Sequence, residues 1–191
     1  MAHRIEDYAF VSNCRTGALI SRDGSIDWLC LPRLDSPSVF GALLGTPENG
    51  RWIVRPADAR AVSSRHYLDD TMVLVTRWEC SDGVAEVHDF FPMDRERGVD
   101  PGRIDVVRRI VGISGEVRLR QSLRMRFDYS RAVPWVRQAG TTDQPELVAM
   151  AGPDAVVVRG ATLEATDHVH RGTVTVAAGE TTDLTLTWFR S

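Results

Sequence analysis

The sequence predicts an all-β protein, an antiparallel two-sheet β-sandwich with one short helix near 37–44. Three observations carry this expectation. The dominant hydrophobic period is two, the spacing of a half-buried strand. Turn-forming dipeptides interrupt the apolar runs at short intervals, as in sandwiches. No amphipathic run of period 3.6 reaches ordinary helix length.

The elements follow in chain order. Residues 15–31 hold two apolar runs around Asp23-Gly24, a tight-turn dipeptide, and so read as a hairpin. Strict alternation places Ile26, Trp28 and Cys30 on one face of the second run, with Asp27, Leu29 and Leu31 on the other. Thr71–Cys80 sets Met72, Leu74, Thr76 and Trp78 on one side. Ser81-Asp82-Gly83 then turns the chain into Val84–Phe91. Ile104–Ile113 and Glu116–Phe127 read as two strands separated by Ser114-Gly115. Ala155–Arg159, His168–Ala177 and Thr181–Phe189 complete the set, with Gly179-Glu180 as the last hairpin turn. For the helix, Ser36 stands at the N-cap, Pro37 at the first helical position, Val39–Leu44 is apolar, and Gly45 ends it. Gln138–Pro145 reads as a mobile loop. Nothing marks a boundary inside 1–191, so a single domain is expected.

Composition narrows the function. The chain has 191 residues, 43% hydrophobic and 26% charged, ordinary for a globular domain with a sizeable core. A net charge of -3 argues against a nucleic-acid or membrane-surface partner. Every basic side chain besides histidine is an arginine; lysine is absent. Cys14, Cys30 and Cys80 form no CxxC pair, and an odd count suits a reducing compartment, so a cytoplasmic location is expected. The start, Met1–Phe10, lacks the apolar stretch of a signal peptide. No apolar run approaches the roughly 18 residues of a membrane span.

Few motifs carry chemistry. In Glu116–Asp128, Val117, Leu119, Leu123, Met125 and Phe127 face one way, with Gln121 as a polar exception. Arg118, Arg120, Arg124 and Arg126 face the other. Four guanidiniums on one face suit an acidic protein surface, either a further domain or a second subunit; a solvated face is the plainer alternative. Asp167, His168 and His170 are too few for a metal centre, and none is expected. Cys30 alternates with apolar residues and reads as buried and inert. No phosphate-cradling glycine motif occurs and no cofactor is expected. Trp52, Trp78, Trp135 and Trp188 are the aromatics a carbohydrate-binding module could use, although Trp78 and Trp188 sit in alternating strands and read as core.

The run from Asn13 to Gly45 is distinctive, with its core Gly17-Ala18-Leu19-Ile20-Ser21-Arg22-Asp23-Gly24-Ser25-Ile26-Asp27-Trp28-Leu29-Cys30-Leu31-Pro32. It resembles the N-terminal domain of bacterial glycoside hydrolase family 15 enzymes, the trehalase-like and glucoamylase-like group. Ile5-Glu6-Asp7-Tyr8-Ala9, Gly50-Arg51-Trp52, Arg126-Phe127-Asp128-Tyr129 and Pro134-Trp135 extend the resemblance over most of the chain. Leu34 stands where that family carries an aromatic. The resemblance implies a supersandwich-like domain preceding an (α/α)6 barrel. In that barrel two glutamates hydrolyse an α-glucosidic bond with inversion, an acid and a base about 6.5–9.5 Å apart. A chain with one short helix cannot supply that barrel, so no acid in 1–191 is expected to be catalytic. The resemblance also implies that the loop Pro32–Ser36 reaches the barrel's pocket entrance. There Arg33 or Asp35 would bond a sugar hydroxyl and Trp28 would stack on a pyranose face. The plainer reading is that Asp35-Ser36 starts the helix and Trp28 belongs to the core. The implied partners are the barrel, an α-glucoside and a second copy of the chain.

Overall fold

The computed structural model describes residues 3–93 and 102–191. The fold is all-β and antiparallel, with fifteen strands among the described residues. They are β1 (Tyr8–Ser12), β2 (Gly17–Ser21), β3 (Ser25–Cys30), β4 (Ser38–Phe40), β5 (Arg51–Pro56), β6 (Val62–Tyr67), β7 (Leu74–Cys80), β8 (Gly83–Phe90), β9 (Arg103–Arg124), β10 (Trp135–Gly140), β11 (Pro145–Ala151), β12 (Asp154–Arg159), β13 (Glu164–Thr166), β14 (Val169–Ala177) and β15 (Thr181–Arg190).

One strand builds both leaves of the fold. The first half of β9 pairs β8 and β15, and its second half pairs β5 and β14. The first leaf runs β1-β2-β3-β5-β9-β14-β13, with β4 against β3. The second runs β6-β7-β8-β9-β15-β12-β11-β10. The expected break at Ser114-Gly115 is therefore not a break: the ladder continues through it. Gly115, at φ 62°, instead changes which face of the strand turns inward. Ile104, Val106, Arg108 and Ile110 are buried before it, and Val117, Leu119, Gln121 and Leu123 after it.

The leaves meet face to face over one core containing Ile20, Leu29, Trp52, Trp78, Ile110, Leu123 and Trp188. Arg108 is fully buried within it. Its Nε donates to Asp89 Oδ1 at 2.7 Å, Nη1 to Trp52 O at 2.7 Å, and Nη2 to Gly24 O at 2.7 Å. Its guanidinium also lies 5.3 Å from the Trp52 ring centroid. Asp89 is its cross-strand partner in the second leaf, while Trp52 and Gly24 belong to the first. Gln121, the polar exception in its strand, accepts the Trp52 indole N–H at 3.2 Å.

Three local expectations are corrected. The helix near 37–44 is absent: Ser38–Phe40 is β4 and Ala42–Leu44 is a single 3-10 turn. Pairing with β3 buries Val39 and Phe40 more completely than a short exposed helix would. Ser36 caps nothing helical; its hydroxyl accepts Arg33 N–H at 3.2 Å. Strict alternation fails in β3, because Leu19 pairs Trp28 while Ile20 pairs Ile26, leaving Asp27 as an extra residue. Asp27 is buried there, accepting Tyr8 Oη–H at 2.8 Å. Gln138–Pro145 is the tip of the β10–β11 hairpin, with only 141–144 between the strands.

Two predictions follow from the interior. Arg108→Met leaves Asp89 as an uncompensated buried charge and costs about 3–5 kcal/mol in urea denaturation. Adding Asp89→Leu recovers part of that loss, which a double-mutant cycle measures as coupling. Cys30 is buried, and desolvation pushes its thiol up to about 11. Native protein at pH 8 therefore labels at exposed Cys14 within minutes, and at Cys30 only after denaturant is added.

Candidate functional site

The loop after β3 carries two of the three expected substrate contacts. Arg33 and Asp35 are exposed, and they bind each other: Arg33 Nε donates to Asp35 Oδ1 at 2.8 Å, and Nη2 to the other oxygen. That pairing raises the Arg33 pKa and lowers that of Asp35. A mutually neutralised pair at this loop offers neither a strong acid nor a base. Trp28 is half-buried rather than core, and its ring lies 6.2 Å from that of Tyr129. Tyr129 also bridges to the loop, donating from its hydroxyl to Ser36 O at 3.4 Å. The structure thus joins Arg33 to Asp35, and joins Trp28 to their loop through Tyr129.

Tyr129 reaches that place through strained backbone. Asp128, Tyr129 and Ser130 have φ of 50°, 53° and 72°, three consecutive non-glycine residues in the left-handed region. A bridge between Phe127 and Ala132 closes the loop, and Ser130 Oγ–H donates to Asn49 O at 2.8 Å. Leu34, half exposed, adds no ring to this rim.

The arginine stripe lies on the outer face of the first leaf, as the alternation predicts. Arg118 and Arg120 are exposed; Arg124 and Arg126 are half-buried. Arg124 is ion-paired with Glu48, and Arg126 Nη1 donates to Met125 O at 2.8 Å. Pairing across strands enlarges the stripe. Arg51 stands opposite Arg124, Arg55 opposite Arg120, and Arg171 opposite Ser122. Directly opposed residues share a face, so three more guanidiniums join the four. A cleft of about 640 Å³ opens among Arg51, Arg55, Arg120 and Arg171, with Glu164 on its wall. Among the described residues, Arg51, Arg55, Arg118, Arg120 and Arg171 have no carboxylate within ion-pairing distance. Sequence reasoning missed Arg51, Arg55 and Arg171 because each is separated from the stripe by a long stretch of chain.

The histidines do not share a strand face. His168 occupies the two-residue turn Asp167-His168 between β13 and β14, with φ of 51° and 59° at the two positions. His170 is buried in β14. Of the tryptophans considered for sugar binding, Trp52, Trp78 and Trp188 are buried and Trp135 is 61% exposed. Trp135 and His170 line one pocket of about 330 Å³. No helix among the described residues is long and apolar enough to cross a membrane.

The family model for the trehalase-like N-terminal domain matches residues 1–186. A trehalase of Mycolicibacterium smegmatis is 36% identical over 140 residues, 66% of this chain and 21% of that protein. A trehalase of Mycobacterium tuberculosis is 34% identical over 165 residues, 79% of this chain and 24% of that protein. Trehalase 1 of Sulfolobus acidocaldarius is 38% identical over 97 residues, 51% of this chain and 17% of that protein. The chain therefore spans less than a quarter of the length of these relatives, and over nearly all its own length it belongs to the trehalase-like N-terminal domain family.

Proposed function

We propose that this chain is the non-catalytic N-terminal domain of a family 15 glycoside hydrolase and docks on the catalytic barrel through its arginine face. The parent enzyme hydrolyses an α-glucosidic bond with inversion, and trehalose is the substrate its relatives' names favour. The observation that carries the docking is the cross-strand placement of like charges, Arg55 opposite Arg120, beside Arg51 opposite an Arg124 that only Glu48 offsets. Such pairs weaken a sheet by repulsion. An acidic surface laid over them relieves that repulsion, and planar guanidiniums pair carboxylates bidentately. The same face would serve a second copy of the chain less well, because each copy presents the same charge.

The division of labour follows from architecture. Inverting hydrolysis needs two carboxyl groups about 6.5–9.5 Å apart with a water between them. In the parent these stand in a helical barrel, whereas the described residues here form strands and 3-10 turns. The rim of Trp28, Tyr129, Arg33 and Asp35 would border the barrel's pocket entrance and shape access without touching the reacting atoms. Three free cysteines suit a reducing, cytoplasmic setting.

Purified chain 1–191 is expected to release no glucose from trehalose or maltose. Arg118→Glu with Arg120→Glu is expected to shift the isolated chain's stability by no more than about 0.5 kcal/mol, since both residues are exposed and have no carboxylate partner among the described residues. The same substitutions in the intact parent are expected to lower its melting temperature and slow hydrolysis. Turnover by repeated preparations of the chain alone removes the non-catalytic reading. A parent indifferent to the substitutions removes the docking face.

A further inference from the structure

We propose that the pocket between β10 and the β13–β14 hairpin binds a neutral pyranose ring, with Trp135 as its stacking face and His170 Nδ1 as its hydroxyl partner. The pocket lies where the edge of one leaf meets the edge of the other. Trp135 opens β10, the outermost strand of the second leaf, while His170 sits in β14 of the first. It holds about 330 Å³, at the lower end of small-ligand sites and large enough to admit one sugar ring with its substituents.

Two independent features point to a ligand. Trp135 is 61% exposed, whereas Trp52, Trp78 and Trp188 are all in the core. An indole in this position offers a flat apolar face to the C–H side of a pyranose. The second feature is a buried polar atom without a partner. His170 is only 6% exposed, and its Nδ1 has no hydrogen-bond partner among the described residues. Leaving such a group unmade is unfavourable, and a ligand that bonds it removes the cost.

The chemistry selects hydroxyls. Burial pulls the His170 pKa below its ordinary value, a weak ring contact with the Leu123 backbone that falls short of hydrogen-bond geometry opposes it, and the neutral form is favoured at pH 7. A neutral imidazole presents either a lone pair or an N–H at Nδ1, depending on tautomer. A sugar hydroxyl donates and accepts, so it satisfies both; a carboxylate or an ammonium satisfies one only. Arg126, on the same pocket wall, has N–H groups beyond the one given to Met125 O, and His168 stands at the rim. Met125, Pro134 and Val136 supply the apolar floor. Donor, hydroxyl partner and aromatic face together match a ring carrying adjacent hydroxyls. His170 Nδ1 is itself closed to solvent, so the entering ring reaches it by displacing a side chain of the pocket wall.

The site shares only Arg126 with the docking face proposed above, and its test is separate. Chain 1–191 is titrated with trehalose and with methyl α-D-glucopyranoside, followed by the Trp135 indole and the Val136 and Val169 amide signals in NMR. Saturable shifts centred on these groups are expected. Trp135→Ala, a surface change that leaves the core intact, is expected to weaken binding about tenfold or more. His170→Phe is expected to do the same, and His170→Asn, which keeps a hydrogen-bonding group near Nδ1, to retain most of it. Arg118→Glu with Arg120→Glu is expected to leave the titration unchanged. The absence of saturable shifts, shifts that survive Trp135→Ala, or an equal response to inorganic phosphate at constant ionic strength would each overturn the proposal.

Discussion

The contact on which the sandwich depends is the buried guanidinium of Arg108. A single strand serves both leaves, so nothing in the β9 ladder itself fixes how the leaves face each other. Arg108 does: it pairs Asp89 within one leaf and donates to two backbone carbonyls of the other. A buried charge is tolerable only when its hydrogen-bonding capacity is filled and its charge is matched, and both conditions hold in one relative placement of the leaves. Gly24 belongs to this arrangement. Its carbonyl accepts from Arg108, its φ is 78°, and a Cβ there would lie 2.3 Å from Val54 O. The turn that closes β2–β3 therefore also sets an acceptor at the leaf interface.

That coupling explains what could be read from the sequence and what could not. Alternation was legible wherever a strand has one wet face: Val117 to Phe127 turned inward and Arg118 to Arg126 outward as the period dictates. It failed where an added residue breaks the parity, as Asp27 does in β3, because a bulge has no hydrophobic signature. The helix expectation failed for another reason. Ser36-Pro37 followed by an apolar run satisfies local helix-start rules, yet Val39 and Phe40 gain more by pairing with β3 than a two-turn helix could recover. Arg108 itself was unremarkable in the sequence. Its two backbone acceptors lie 56 and 84 residues away, and burial of an arginine is set by such distant partners.

The sites divide along the same line. The second half of β9 displayed its arginines in plain alternation, but β5 and β14 brought Arg51, Arg55 and Arg171 beside them only through register. Trp135 and His170 are likewise separated along the chain and meet where two leaf edges approach. The rim loop shows the reverse. Trp28, Arg33 and Asp35 were visible early, yet Arg33 and Asp35 spend their charge on each other. What gives that rim definition is Tyr129, held there by three left-handed residues that no composition rule would select.

The two populations of arginine obey opposite physics. Arg108 lies where water is excluded, so removal of Asp89 would leave a charge without compensation. The arginines of the outer face stand in water, whose high dielectric holds the repulsion of an opposed pair below about 1 kcal/mol. The isolated chain can therefore carry a cationic face that is largely without carboxylate partners among the described residues at modest cost. Covering that face with an apolar surface would strip its hydration and expose the full repulsion. Covering it with carboxylates replaces hydration by charge-assisted bonds. The same property that makes the face harmless in solution thus makes it selective, admitting an acidic surface and rejecting the apolar contacts that would otherwise join exposed sheets.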